Sequence, residues 1–127
     1  MKPLNGIKVI DLTHMLAGPY AGMVIADLGA EVVKIEPLVT GEMTRGLLKT
    51  DPNYSYKEFG AYFLTLNRNK KSVSLDLKSE IGLEIFYELV KSADVVLNNF
   101  SAGVVKKLKI DFVVRSSSRN TFRKRPR

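Results

Sequence analysis

Val9-Ile10-Asp11-Leu12-Thr13-His14-Met15-Leu16-Ala17-Gly18-Pro19-Tyr20-Ala21-Gly22 decides the fold. The run Ile7 to Leu12 is short, apolar and ends in polar residues, as a buried strand does. An Ala-Gly-Pro turn follows, and Pro19 suits the first turn of a helix. Met23, Val24, Ile25 and Leu28 crowd the helix with apolar residues, which predicts heavy burial. Gly29 is placed to end it. Glu31 to Glu36 then reads as a second strand, stopped by Pro37. Strand, helix and strand in so few residues form a βαβ unit, hence a parallel sheet. The turn after its first strand is where such sheets bind ligands.

Further along, residues 38–60 read as a long loop rich in Gly, Thr, Asp, Pro, Asn and Tyr. A loop of that length in a compact domain is functional or poorly ordered. A turn or two of helix is expected over Ala61 to Leu66, and a third strand over Ser72 to Leu77, where Val73, Leu75 and Leu77 alternate. Ser79 is the N-cap of a helix running to about Lys91. A fourth strand, Ala93 to Asn98, and a short helix, Gly103 to Leu108, complete the pattern. The expected architecture is α/β, a partial Rossmann-like parallel sheet with flanking helices.

Composition limits the function. The 127 residues suffice for one modest domain. There is no cysteine, so neither disulfides nor thiolate metal sites are available. No apolar run is long enough to span a membrane, and no signal-peptide core precedes the first strand. A cytoplasmic location is the default expectation. The net charge of +7 suggests nucleic acid, but its distribution argues against it. Six of the 20 basic residues (Arg115, Arg119, Arg123, Lys124, Arg125, Arg127) lie in residues 113–127, which hold no acid. The other 14 face 13 acids in residues 1–112. The body is nearly neutral and one basic tail makes the chain basic, so nucleic acid is not the expected partner.

The βαβ unit could also suggest NAD, with Glu36 as the ribose-binding acid. The Gly-x-Gly-x-x-Gly fingerprint is missing, so NAD is not expected and Glu36 reads as a solvated strand-end carboxylate. His14, the only histidine, has no partner by spacing and is expected to line or pack in the turn. Asp11, Asp27, Asp76 and Asp94 read as structural. Lys70, Lys71, Lys106 and Lys109 read as solvated surface.

Four blocks in order carry a resemblance: the first turn, Gly41-Glu42-Met43-Thr44-Arg45-Gly46, the segment Asn67 to Lys78, and Ala93-Asp94-Val95-Val96-Leu97-Asn98-Asn99-Phe100. Together they resemble the class III CoA-transferases, which include formyl-CoA and carnitine CoA-transferases, with α-methylacyl-CoA racemase as a relative. The second block resembles the family's Gly-Asp-x-x-Arg with Glu for Asp. The resemblance implies that residues 1–112 are the N-terminal part of the family's large Rossmann-like domain. It stops near Phe112, and residues 113–127 are expected to be a disordered, non-homologous tail, read as an out-of-frame or alternative end. It implies coenzyme A or acyl-CoA as substrate, with neither metal nor NAD.

By the same resemblance, CoA would be held through backbone at Leu16 and Ala17 and by Lys78 and Lys107, the latter replacing a usual Arg. Leu75 and Phe100 would pack near the adenine, and Asn99 would supply a hydrogen bond. Arg45 would meet an anionic group of the acyl donor. Family members often carry an Arg where this chain has Pro37. Their catalytic aspartate attacks the acyl-CoA thioester; it lies downstream of Phe112 in the family pattern, so no catalytic residue is expected here. The whole enzyme would move CoA between an acyl-CoA and a carboxylic acid, and this chain would be a truncated CoA-binding portion, inactive alone. A non-catalytic CoA- or nucleotide-binding module and a racemase-type fragment are the alternatives. Family members form interlocked homodimers, so a half-sheet with an open edge is expected to be marginally stable or to self-associate.

Overall fold

The computed structural model describes residues 1–101 and 103–111. The boundary expected at 112 and the tail 113–127 lie outside the described residues. Strand β1 (Lys8–Asp11) leads into helix α1 (Ala17–Asp27), which returns to strand β2 (Glu31–Glu36). A 3-10 turn, Met43–Arg45, and a small antiparallel hairpin follow, with β3 at Ser55–Tyr56 and β4 at Phe59–Gly60. Then come α2 (Ala61–Leu66), β5 (Lys70–Ser74), α3 (Glu80–Lys91), β6 (Val95–Leu97) and α4 (Val104–Lys107).

The main sheet has the order β5-β2-β1-β6, and all its pairings are parallel. From β1 the chain builds outward through β2 to β5, then crosses back to place β6 on the other side of β1. The crevice beyond the carboxyl ends of β1 and β6 is therefore a topological switch point, where open α/β sheets bind ligands.

The two faces of the sheet differ in kind. On one, Ile10, Leu12, Val33, Ile35, Leu75, Phe86 and Ile110 form the larger core, which α3 and α4 cover. On the other, Val9, Val32, Ala26 and Ala30 pack beneath α1. Toward the carboxyl ends of the strands this second face turns charged: Asp11, Lys34 and Glu36 are buried there. Strand alternation puts Lys34 and Glu36 on that face while Val33 and Ile35 go to the other.

Local chemistry explains the element ends. Ser79 caps α3 by accepting from the Gly82 N–H at 3.0 Å, as expected. Gly29 follows α1 with φ +106°, a conformation that L side chains rarely adopt.

Several expectations need correction. The third strand is Lys70–Ser74, not Ser72 to Leu77; it ends where Leu75 turns inward and donates its N–H to the Glu36 carbonyl at 2.9 Å. The 38–60 segment is not all loop, since it contains the 3-10 turn and the hairpin. α1 starts at Ala17 and is not buried all round. Its buried positions are Pro19, Gly22, Met23 and Ala26, whereas Tyr20, Val24 and Leu28 are exposed. Only one side of this helix meets the sheet.

Candidate functional site

A cleft of about 410 Å³ opens at the carboxyl ends of the strands. Leu12 and His14 just after β1, Ile35 to Leu38 at the end of β2, Leu75 to Lys78 just after β5, and Phe100 beyond β6 line it, with Leu108 closing one side. Three of the residues expected to contact CoA thus come together: Leu75 buried in the floor, Lys78 exposed at the mouth, and Phe100 in the wall. The Phe100 ring lies 5.5 Å from the His14 ring. A mostly apolar slot with Lys78 and Asp76 among its lining and the Glu36 carboxylate already held by Arg45 suits a flat, partly apolar ligand.

Leu16 and Ala17 sit at the start of α1. Leu16 is the N-cap, and no side chain caps the helix. Both residues are exposed. The uncapped N–H groups and the positive end of the helix dipole face solvent beside the cleft. Lys107 is exposed on α4, whose neighbour Leu108 reaches the cleft, but Lys107 itself does not line it. The Asn99 side chain is turned onto the chain's own backbone: its Oδ1 accepts from the His14 N–H at 2.9 Å and its Nδ2 donates to the His14 carbonyl at 2.8 Å.

The space at Gly18 is likewise taken by the chain itself. A Cβ there would fall 2.5 Å from the Thr13 Cβ and 3.0 Å from the Asn99 Cγ. Its smallness thus packs α1 against the turn. Gly22 does the same one turn later. A Cβ at that position would meet Asp11 Oδ2 at 2.7 Å and Lys70 Nζ at 3.1 Å.

Beneath the turn lies an ionic network that the sequence did not announce. Asp11 Oδ2 accepts from Lys70 Nζ at 2.9 Å, and Lys70 also donates to the Pro19 carbonyl at 2.8 Å. Lys70 is therefore a buried partner and not solvated surface, because it inserts between β1 and α1. Lys34 donates to the Thr13 carbonyl at 2.7 Å. Burial pushes the Lys34 ammonium below its ordinary value, and Lys70 adds to this, against the pull of Asp11, Glu42 and Glu36.

Glu36 is buried, contrary to the solvated reading. Arg45 grips it through Nε at 2.6 Å and Nη2 at 2.7 Å. Ser72 and the Glu42 N–H donate to it as well. Burial alone would raise the Glu36 carboxyl, but these bonds outweigh it and hold the group at about 2. The Arg45 guanidinium also lies 3.9 Å from the Phe63 ring centroid. Its charge is thus committed to a carboxylate and an aromatic face.

His14 is half-buried, and its pKa is lowered, first by burial and then by Lys34. Asp11, Asp27, Asp76 and Asp94 each hold local structure. Asp11 pairs with Lys70, Asp27 with Arg68, Asp76 accepts from the Lys78 N–H, and Asp94 from the Lys8 N–H. Among the described residues, no group of three His, Asp or Glu side chains is placed to hold a metal ion. Nor is any described helix long and apolar enough to cross a membrane.

A parallel α/β unit with a cleft at its switch point is the place where open α/β sheets bind ligands. The chain belongs to CoA-transferase family III, whose family model matches residues 4–117. It is 41% identical over 107 residues to a formyl-CoA:oxalate CoA-transferase of Afipia carboxidovorans, covering 84% of this chain and 24% of that protein. It is 38% identical over 115 residues to an acyl-CoA transferase of Fusarium pseudograminearum, covering 87% and 25%. A crystal structure of a CAIB/BAIF family protein from Brucella suis superposes with a TM-score of 0.79 at 37% identity, covering 91% of this chain and 31% of that one. The chain spans about a quarter of the length of the curated relatives it matches.

Proposed function

We propose that this chain supplies the CoA-binding part of a class III CoA-transferase, and that the whole protein moves CoA between an acyl-CoA and a carboxylic acid. The observation that carries the reading is the meeting of Leu75, Lys78 and Phe100 around one cleft at the switch point. The adenine would lie in the apolar slot between Leu75 and Phe100. Lys78, at the mouth, would meet phosphate. The uncapped start of α1 at Leu16 and Ala17 favours the same charge. Lys107 would approach from α4 once a ligand extends past Leu108.

Arg45 is better suited to holding the 38–46 segment than to meeting the acyl donor, since Glu36 neutralises it at two points. Asn99 would act chiefly by fixing His14. The thioester chemistry needs a carboxylate nucleophile, and Asp11, Asp27, Asp76 and Asp94 are engaged in local structure. The reacting group would come from outside them. A second copy of the chain is the proposed partner.

The test is calorimetric titration of the chain with coenzyme A and with its form lacking the 3′-phosphate. Saturable binding of CoA that weakens about tenfold in Lys78→Ala, the effect of one lost charge-assisted contact, supports the reading. Absence of binding, or binding indifferent to Lys78, overturns it.

A further inference from the structure

The turn after β1 is held by side chains. Beyond the Leu12 N–H, which joins the sheet through the Leu97 carbonyl at 2.8 Å, five successive backbone polar groups find side-chain partners. The Thr13 N–H donates to Asp11 Oδ1 at 2.9 Å, and the Thr13 carbonyl accepts from Lys34. The His14 N–H and carbonyl are both bound by Asn99. The Met15 N–H donates to Glu42 Oε1 at 3.0 Å. Met15 itself has φ +66°, a left-handed conformation that a long side chain adopts only when its surroundings impose it.

Glu42 differs from the other three arms. Asp11, Lys34 and Asn99 come from the sheet strands or the end of β6. Glu42 comes from the 3-10 turn, 27 residues away in sequence. Its carboxylate is fully buried. One oxygen accepts from Met15. The other accepts from the Thr44 N–H at 3.1 Å and from the Thr44 hydroxyl, capping the 3-10 turn. Its own N–H is fixed by Glu36 at 2.8 Å. A line of contacts therefore runs from Arg45 through Glu36 and Glu42 to Met15, one residue before the N-cap of α1.

We propose that Glu42 is a positioning residue for the ligand turn. It imposes the left-handed conformation of Met15 and so aims the exposed start of α1 at the cleft. What that turn serves rests on the CoA reading above; the positioning itself does not. The side-chain length is the lever. An aspartate at 42 keeps the capping contact to Thr44, which needs only local reach, but is one methylene too short to bond Met15 as well.

The experiment is amide hydrogen exchange by NMR on the 127-residue chain and its Glu42→Asp variant, with a CoA titration of both. In the wild type the Met15 amide is expected to be protected. In Glu42→Asp it should exchange about tenfold faster, the effect of one bond to a charged acceptor. Thr44 protection should hold, shifts outside residues 41–45 should be confined to 14–17, and CoA affinity should fall several-fold. An unprotected Met15 in the wild type overturns the proposal even if the variant fails to fold. So does unchanged exchange in the variant, or a freed Met15 with CoA affinity unaltered. Failure of the wild type to bind CoA sinks the CoA reading alone. The Met15 exchange and the 14–17 shifts then decide the positioning role, for it if they change and against it if they do not.

Discussion

The two faces of the central sheet are built on opposite principles. Under α3 and α4, Ile10, Val33, Ile35, Phe86 and Ile110 are buried without a charge among them. Under α1, Asp11, Lys34 and Glu36 are buried toward the carboxyl ends of the same strands, and the Lys70 side chain joins them from the start of β5, with their partners in place. Residues 33 and 35 face one way and residues 34 and 36 the other, so adjacent positions on one strand serve different ends. The apolar face contributes cohesion, which is non-directional. The charged face contributes direction: each ion binds a particular backbone group of the turn or the 38–46 segment. Stability is concentrated on the first face, whose Leu12, Ile35 and Leu75 also line the cleft, and the geometry of the turn after β1 on the second.

The comparison breaks most readily at Phe86. Phe86→Ala should cost about 4 kcal/mol by loss of burial and creation of a cavity. Chemical denaturation would show this as a lower midpoint with an unchanged slope. A loss below about 1 kcal/mol would mean that the α3 face is not the stabilising one.

Acid probes the other face. The Glu36 carboxyl is held at about 2 against an ordinary value of 4.5, so the folded state binds its proton more weakly than the unfolded one. The resulting stability is present above pH ~4.5 and is lost as pH falls toward ~2, on the order of 3 kcal/mol in all. Asp27 and Glu31 are also lowered, the first by hydrogen bonds from Arg68 and Asn69 and the second by one from Lys71, but both lie in solvent. The informative quantity is therefore the difference between wild type and Glu36→Gln. Melting temperatures measured from pH 6 to 2 should fall less steeply in the variant, and parallel curves would remove Glu36 from the account.

Arg45→Lys keeps the charge but loses the forked contact and the stacking on Phe63. It should cost about 1–2 kcal/mol and loosen the 38–46 segment, seen as faster exchange of the Glu42 amide. Ser79→Ala, on the apolar side, removes a helix cap and should cost about 1 kcal/mol. It should leave ligand affinity untouched, whereas Arg45→Lys should weaken it.

The apolar face was legible because period and capping report on it directly. Glu31 to Glu36 and the Ser79 cap stand where the pattern places them. The charged face was not. In Glu31-Val32-Val33-Lys34-Ile35-Glu36 three charges stand among three apolar residues, and nothing local says that Lys34 and Glu36 are covered while Glu31 is exposed. Lys70 reads as one of a surface pair with Lys71, yet only Lys71 is exposed. The third strand was misplaced because Val73, Leu75 and Leu77 alternate correctly, while Leu75 belongs to the cleft floor. The hairpin was invisible because its turn residues, Lys57 and Glu58, take φ +47° and +66° without the usual Asn or Gly. The cleft residues Leu75, Lys78 and Phe100 were named through family resemblance, and the sheet topology brings them together.

The most direct test follows backbone amide shifts of the labelled chain as coenzyme A is added. If the cleft is the CoA site, saturable shifts should map to residues 14–17, 75–78 and 99–100 and leave the outer surface of α3 unmoved. Shifts confined elsewhere, or none at millimolar CoA, would contradict the assignment of this cleft to CoA.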